Sequence, residues 1–206
     1  MQGADTIFFI VILIMSVVIH EVAHGYAAEY FGDKTARHAG RLTLNPLKHL
    51  DIFGSVLVPL VLILAKAPFL FGWAKPVPYN PLNFTNRRWG TFWVASAGVL
   101  ANFLLAIFFG MILRVIAGTG IAPDAFFIIS SIVLINIGLG IFNLIPIPPL
   151  DGSKVLFSLL PSSAYAVLDF LEKYSIFILL IFIFYFARYL YPVLLFLYKL
   201  ITGFAL

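Results

Sequence analysis

The chain has 206 residues, of which 62% are hydrophobic and only 11% are charged. This composition excludes an ordinary soluble domain, which is nearer to half apolar and a quarter charged, and it predicts an integral membrane protein in a lipid bilayer. The net charge of +4 does not indicate a nucleic-acid partner, because the basic residues fall mainly in loop segments between apolar runs. The absence of cysteine excludes disulfides, thiolate metal ligands and a cysteine nucleophile.

The first predicted transmembrane helix, from Thr6 to about Phe31, changes character half-way along. Its first half is apolar, and its second half carries His20, Glu21 and His24 in an HExxH pattern. Residues four apart lie on one helix face about one turn apart, so both imidazoles can reach one metal ion. Glu21 points beside that position, where its carboxylate can take a proton from a bound water. Ionisable groups are costly at membrane depth, which favours a functional site over histidines that only satisfy hydrogen bonds.

The region after the first helix carries weak strand signals. Arg41–Leu44 alternates polar and apolar side chains, and Trp73–Tyr79 contains alternate prolines that permit only an edge strand. We therefore expect a small membrane-associated β-hairpin or sheet, whose edge could pair with an extended peptide; a plain turn-and-strand connector is the alternative. The apolar run 53–65, interrupted by Pro59, is short for a span of about 20 residues. It is predicted to be re-entrant.

Three longer apolar segments complete the chain. Residues 91–113 and 125–150 are each long enough to cross a membrane, whereas 174–206 is consistent with one kinked span or two short ones. The predicted fold is an all-α integral membrane protein with about 5–6 transmembrane or re-entrant segments. We expect a single polytopic domain over residues 1–206, with a catalytic core at about 6–160 followed by the C-terminal helices.

The distribution of basic residues predicts the orientation of the spans. Basic residues follow the first helix, which places its histidine-bearing half toward the cytoplasm. Arg87 and Arg88 precede the span at 91–113, so that span also starts inside. The segment 53–65 must then return to the side it left. The active site is therefore expected toward the cytoplasmic side.

A hydrolytic zinc site needs a third protein ligand beside the two histidines, because catalytic zinc usually has three ligands and an open position for water. The chain has only nine Asp and Glu residues. Asp151 follows a long uncharged segment and three prolines, which would break the helix and expose the carboxylate to a polar cavity. From spacing alone, an N-cap to the following helix explains Asp151 equally well.

Taken together, the motifs resemble the site-2 protease family of intramembrane zinc metalloproteases, in its small prokaryotic branch without a PDZ or CBS domain. The resemblance covers about residues 6–160 and rests on His20-Glu21-xx-His24, on Ala97-Gly98-xxx-Asn102, and on Asn143-Leu-Ile-Pro-xx-Pro-Leu-Asp151-Gly152. Two loop stretches, Gly40–Pro46 and Phe71–Pro78, are similar to loops of that branch.

The resemblance implies one zinc ion per chain, held by His20, His24 and Asp151, with Glu21 as the general base. It implies hydrolysis of a peptide bond within or near the transmembrane segment of single-pass membrane proteins. The expected location is the prokaryotic cell membrane, crossed several times. The chain has no room for a PDZ or CBS domain, and nothing in the sequence selects an oligomeric state.

Two asparagines are weaker candidates for binding substrate or stabilising the reaction intermediate. Asn143 matches the family's asparagine upstream of the Leu-Asp-Gly motif, to which that role is ascribed. Asn102 is expected mainly to hydrogen-bond between packed helices, and such a residue can serve both purposes. The family motif commonly ends in Gly-Gly, and Ser153 stands at the second glycine. Because serine is small, we expect the local geometry to survive.

Two other functions compete with proteolysis. The first is a catalytically inactive zinc-binding membrane scaffold, which would not need a base such as Glu21. The second is a metal transporter, which would distribute polar ligands through the full membrane depth. The ionisable groups of this chain gather near one side instead, which disfavours a transport pathway.

Overall fold

The computed structural model describes residues 3–65, 72–116, 120 and 122–205. All regular secondary structure within these ranges is helical. The α-helices in chain order are α1 (Gly3–Tyr30), α2 (Thr35–His38), α3 (Val58–Leu64), α4 (Arg87–Ile116), α5 (Pro123–Asn143), α6 (Asp151–Leu159), α7 (Tyr165–Lys173), α8 (Ser175–Ile181) and α9 (Leu190–Thr202).

Four helical runs in the described residues are long and apolar enough to cross a membrane: Thr6–Tyr30, Arg87–Ile116, Pro123–Asn143 and Ser175–Thr202. The predicted all-α, multi-pass membrane architecture is therefore confirmed. The first three of these runs, in α1, α4 and α5, pack against one another, and α4 also packs against α6 and α9. Helix α4 thus lies at the centre of the bundle.

Small and polar residues allow the close approach of these helices. Gly110 of α4 faces α9, where an added Cβ would lie 2.3 Å from Cγ2 of Ile201. Ser130 of α5 and Tyr198 of α9 share a buried hydrogen bond of 2.6 Å. In lipid, helix association depends on such close packing and on hydrogen bonds between helices, since apolar burial gives no driving force there.

The C-terminal segment is one helical run of membrane length rather than two separate spans. Helices α8 and α9 are joined by a π-helical stretch, Phe182–Phe186, and a 3₁₀ turn, Ala187–Tyr189. Pro192 lies in the first turn of α9, where its missing N–H costs least. It cannot donate to the carbonyl of Arg188, which accounts for the irregular helix before it.

The predicted β-hairpin or sheet after the first helix is wrong, because no strand occurs within residues 3–65 or 72–116. The backbone of Arg41–Leu44 is engaged elsewhere: the N–H of Arg41 donates to Ala36, and Nε2 of His49 donates to the carbonyl of Thr43 at 2.9 Å. His49 is 2% exposed and is therefore a buried structural residue.

The Pro-rich segment, Trp73–Tyr79, has no regular secondary structure and does not build a ladder. The amides of Trp73 and Lys75 donate singly to Gly54 and His49. The two following prolines have no N–H, so no regular strand pairing continues. Phe71, part of the loop motif that resembles the family, lies outside the described residues.

The short apolar region Ile52–Leu64 consists of a π-helical stretch and α3. Oδ1 of Asp51 accepts from the N–H of Gly54 at 2.7 Å and caps its start. The helical run is too short to cross a bilayer core of about 30 Å as a single helix. The re-entrant path therefore stays a prediction.

Asp33 anchors the Pro-rich segment to the end of α1. Its buried carboxylate accepts from the N–H of Asn80 at 2.6 Å, from Nδ2 of Asn83 at 2.7 Å and from the hydroxyl of Thr35 at 2.6 Å. Burial opposes ionisation, but the hydrogen bonds from Thr35, Asn83 and Asn80 outweigh it and hold the pKa of Asp33 below its ordinary value. The segment that precedes Asn80 is thereby held beside the HExxH turn.

Candidate active site

Three residues far apart in the sequence place their ligand atoms at one point. His20 and His24 lie one turn apart on α1, and Asp151 is the first residue of α6. Oδ2 of Asp151 lies 3.0 Å from Nε2 of His20 and 3.1 Å from Nε2 of His24. The two Nε2 atoms are 3.0 Å apart, and all three residues are buried.

The histidine tautomers are set by the partners of their other ring nitrogens. Nδ1 of His24 lies 2.6 Å from the backbone oxygen of Val94, and Nδ1 of His20 lies 2.6 Å from Oδ1 of Asn102. Both partners are oxygens that only accept, so each Nδ1 carries the proton in the neutral ring. Each Nε2 therefore presents a lone pair toward the other and toward the Asp151 carboxylate.

This donor set fits a zinc ion. Three acceptor atoms converge at about 3 Å, and in the neutral state no proton lies between them. Their lone pairs repel one another, and a cation between them would remove that repulsion. Tetrahedral zinc with bonds of about 2.0–2.1 Å separates its ligands by about 3.3 Å, so the set need open by only a few tenths of an ångström. Carboxylate and carbonyl partners on the outer nitrogens are the usual support of zinc-bound histidines.

Helix α4 supplies both the space and the support for this site. A Cβ on Gly98 would lie 2.5 Å from Nε2 of His24 and 2.6 Å from Cε1 of His20, so only glycine lets the rings rest against the α4 backbone. Asn102, one turn later, is fully buried and meets His20. The small residue and the asparagine of the Gly-xxx-Asn pattern thus serve one site.

The region around Asp151 folds so that its carboxylate is free to face the histidines. Leu150 occupies the N-cap position of α6, and no side chain caps that helix, so Asp151 does not serve as the N-cap that its spacing allows. An added Cβ on Gly152 would lie 2.2 Å from the carbonyl oxygen of Leu144, so the start of α6 needs glycine to approach the end of α5. Ser153 fits at the next position, where its hydroxyl donates to Leu150 at 2.7 Å.

Glu21 follows His20 directly on α1 and is only partly buried. Its Oε2 accepts from the backbone N–H of Val77 at 2.8 Å. Val77 stands between Pro76 and Pro78, so its amide is the one donor in that tripeptide. Sequence reasoning missed this contact, although a lone N–H between two prolines is a signal that such a donor has a specific acceptor.

Lys154 adds a positive charge near the site. The sequence alone gave no indication of this residue. It lies one turn after Asp151 on α6, and its Nζ is 5.4 Å from the centre of the Tyr79 ring. Tyr79 in turn stacks on Phe84 with ring centres 6.0 Å apart. This contact joins the helix of the third ligand to the segment that carries Val77.

The structure separates the two candidate asparagines. Asn102 contacts the ligand His20 directly, as described above. Asn143 is the last residue of α5, and its Nδ2 donates to the carbonyl of Leu139 in its own helix at 3.0 Å. Asn143 is half-buried and its described hydrogen bond does not reach the ligand residues.

Comparison with known proteins adds an independent finding. Peptidase family M50 matches the chain over residues 118–186. YwhC of Bacillus subtilis, named as a zinc metalloprotease, is 38% identical over 182 residues, which are 84% of this chain and 78% of that protein. Rip2 of Mycolicibacterium smegmatis, named likewise, is 33% identical over 159 residues, 73% of this chain and 57% of that protein. No solved structure gives a significant match.

Proposed function

We propose that this chain, which belongs to the site-2 protease family of zinc metalloproteases, is an intramembrane endopeptidase of the HExxH plus Leu-Asp-Gly type. One observation carries the proposal. The Nε2 atoms of His20 and His24 and Oδ2 of Asp151 converge within a bundle of membrane-length helices, and Glu21 follows His20 directly on the same helix.

The residues of the site have separate roles in peptide hydrolysis. His20, His24 and Asp151 would hold a zinc ion, which when bound would polarise a carbonyl and lower the pKa of a water. Glu21 accepts the proton of the attacking water and then delivers it to the leaving amine. The N–H of Val77 holds one oxygen of Glu21, so the other oxygen remains to take the proton.

The membrane setting defines the substrate class. The site lies among helices that can span a bilayer, so the scissile bond belongs within or near the transmembrane segment of a single-pass membrane protein. A transmembrane helix hides its carbonyls in hydrogen bonds between residues i and i−4, so the substrate must unwind locally before attack. We place the protein in the cell membrane as one polytopic domain, with its site toward the cytoplasmic side because the basic loops flank it.

Asn143 is the proposed contact to substrate or to the reaction intermediate. It ends α5 shortly before the three prolines that precede Asp151. Within the part of the chain that the structure describes, its amide donates to the carbonyl of Leu139 in its own helix, which leaves its oxygen and second N–H for a peptide. Asn102 contacts His20 directly, which favours a role in supporting this metal ligand over a role in binding substrate.

The experiment that tests this function compares membranes that contain the wild-type protein with membranes that contain Glu21→Gln. We expect transmembrane fragments of single-pass proteins in the wild type and intact precursors in the variant. Zinc content should be equal in both, because Gln leaves the three ligands in place. Equal fragment patterns, with zinc bound in both, would instead support the inactive scaffold.

A further inference from the structure

Buried polar side chains from three helices form a hydrogen-bonded chain that ends at a zinc ligand. Ser16 and His20 belong to α1, Asn102 to α4 and Asn136 to α5. Asn102 and Asn136 are fully buried, and Ser16 is 3% exposed. Asn136 does not touch the ligand atoms, and the proposed function gives it no role. Its contacts nevertheless determine which ring nitrogen of His20 carries the proton.

The direction of each hydrogen bond follows from a group that cannot change its role. The backbone oxygen of Ile132 only accepts, so the Asn136 atom 2.9 Å from it is the donor Nδ2. Oδ1 of Asn136 therefore faces Asn102 and accepts from its Nδ2 at 2.8 Å. That orientation turns Oδ1 of Asn102 toward His20, 2.6 Å from Nδ1. The imidazole proton must then lie on Nδ1.

The remaining contacts support the same direction. Nδ2 of Asn136 also donates to the hydroxyl of Ser16 at 2.9 Å. Nδ2 of Asn102 lies 3.5 Å from the backbone oxygen of Ser16, another atom that only accepts. Both amide nitrogens thus face acceptors.

The two histidines differ in how much support they need. His24 donates to a backbone carbonyl, that of Val94, which cannot exchange its oxygen for a donor. His20 donates to a side-chain amide, whose two ends have nearly the same shape and opposite hydrogen-bonding roles. Only a partner beyond Asn102 can select between its two orientations. Oδ1 of Asn136 accepts from Nδ2 of Asn102 at 2.8 Å, whereas the backbone oxygen of Ser16 lies at 3.5 Å, the limit of a hydrogen bond, so Asn136 is the stronger of the two selecting partners.

We propose that Asn136 is a positioning residue for the metal site: it fixes the amide of Asn102 and thereby keeps His20 in the tautomer whose Nε2 lone pair faces the metal. The inference rests on the ligand set of the proposed function. If Asn102 turned over, its N–H group would face Nδ1 of His20 and move the ring proton to Nε2. That proton would occupy the position from which His20 binds zinc.

The test measures zinc affinity and histidine tautomer in purified protein in detergent. Asn136→Leu removes the acceptor that fixes Asn102. We expect Zn²⁺ affinity, measured by competition with a chelator, to fall about 10- to 100-fold, the range usual for outer partners of metal ligands. In the metal-free protein, ¹⁵N NMR of labelled histidine should show the His20 proton on Nδ1 in the wild type and on Nε2 in Asn136→Leu.

A matched control separates this role from general packing. Ser130→Ala removes another buried hydrogen bond from the same helix, to Tyr198, outside the chain that leads to His20. It should change stability but leave zinc affinity and the His20 tautomer unchanged. The proposal is overturned if Asn136→Leu and Ser130→Ala bind zinc equally well, or if the His20 proton stays on Nδ1 in Asn136→Leu.

A second variant covers the case in which Asn136→Leu does not fold. Asn136→Asp keeps an oxygen that accepts from Nδ2 of Asn102, so the His20 proton should remain on Nδ1. A proton on Nε2 in this variant would overturn the proposal. The readouts are independent of proteolysis: a protein that cuts no substrate but shows the expected tautomers refutes the proposed function and leaves this inference standing.

Discussion

The backbone N–H of Val77 donates to Oε2 of Glu21 at 2.8 Å, and it joins the Pro-rich segment to the proposed catalytic base. The contact does two things. It occupies one of the two carboxylate oxygens, and it fixes the rotation of the Glu21 side chain. Val77 is 3% exposed, and the segment is anchored again at Asn80 through Asp33, so the donor has little freedom to move.

Removing this one donor should lower the catalytic rate without removing zinc. Val77→Pro deletes the N–H in a segment already held extended by the following proline. Hydrogen bonds to charged groups contribute about 1.5–3 kcal/mol, so kcat should fall roughly ten- to hundredfold. The measurement is kcat and KM on a cleaved membrane substrate in vesicles, together with zinc content.

Val77→Ala is the matched control, because it removes buried methyl groups and keeps the amide. It should lower the thermal stability while kcat stays near that of the wild type. A Val77→Pro variant with higher kcat than the wild type would show that the segment obstructs the site rather than orienting its base.

Gly98→Ala should abolish zinc binding and proteolysis together. The added Cβ would lie 2.5 Å from Nε2 of His24 and 2.6 Å from Cε1 of His20, so both rings must leave their positions. Gly110→Ala is the control, because it crowds the same helix against Ile201, away from the metal ligands. We expect zinc content near zero for Gly98→Ala and one ion per chain for Gly110→Ala. Equal zinc content in the two variants would argue against the close packing of the ligands on α4.

Asp33 should make stability depend on acid pH. Its pKa is lowered in the folded protein, so its contribution is complete above the ordinary carboxyl pKa of about 3.9 and is lost as pH falls through the lower folded value. Asp33→Asn should lower the free energy of unfolding at pH 7 by about 1–3 kcal/mol, because an amide group replaces one acceptor oxygen.

The same variant should show a weaker acid dependence. Thermal unfolding in detergent, followed from pH 7 to pH 3, measures both effects, and Asp169→Asn at an exposed position serves as control. An Asp33→Asn protein as stable as the Asp169→Asn control at pH 7 would contradict this anchoring role.

Helical spacing was sufficient to predict that His20 and His24 share a face, because that relationship is local. Asp151 could not be chosen over an N-cap from spacing, since its partners lie more than a hundred residues away in the sequence. Its assignment as a ligand depended on the resemblance to a family. Nothing in the sequence distinguished Asn136 from other polar residues of a span, because its role depends on a hydrogen bond to Asn102 on another helix.

The wrong strand prediction has a local cause. The alternation of polar and apolar side chains over Arg41–Leu44 covers only four residues, which is too short to specify a strand. The backbone groups of Arg41 and Thr43 form hydrogen bonds with Ala36 and His49 instead of with a partner strand. The alternate prolines of the later segment allowed at most an edge strand, and residues 72–80 form no strand. They could not show that the amide between them would bind Glu21, since that depends on how the segment folds back over α1.

Zinc K-edge X-ray absorption spectroscopy of the purified protein tests the central claim most directly. We predict one zinc ion with two imidazole nitrogens at about 2.0–2.1 Å and a carboxylate oxygen at about 2.0–2.2 Å. The carboxylate contribution should disappear in Asp151→Ala. A zinc ion with fewer than two imidazole ligands, or a spectrum unchanged by Asp151→Ala, would contradict it.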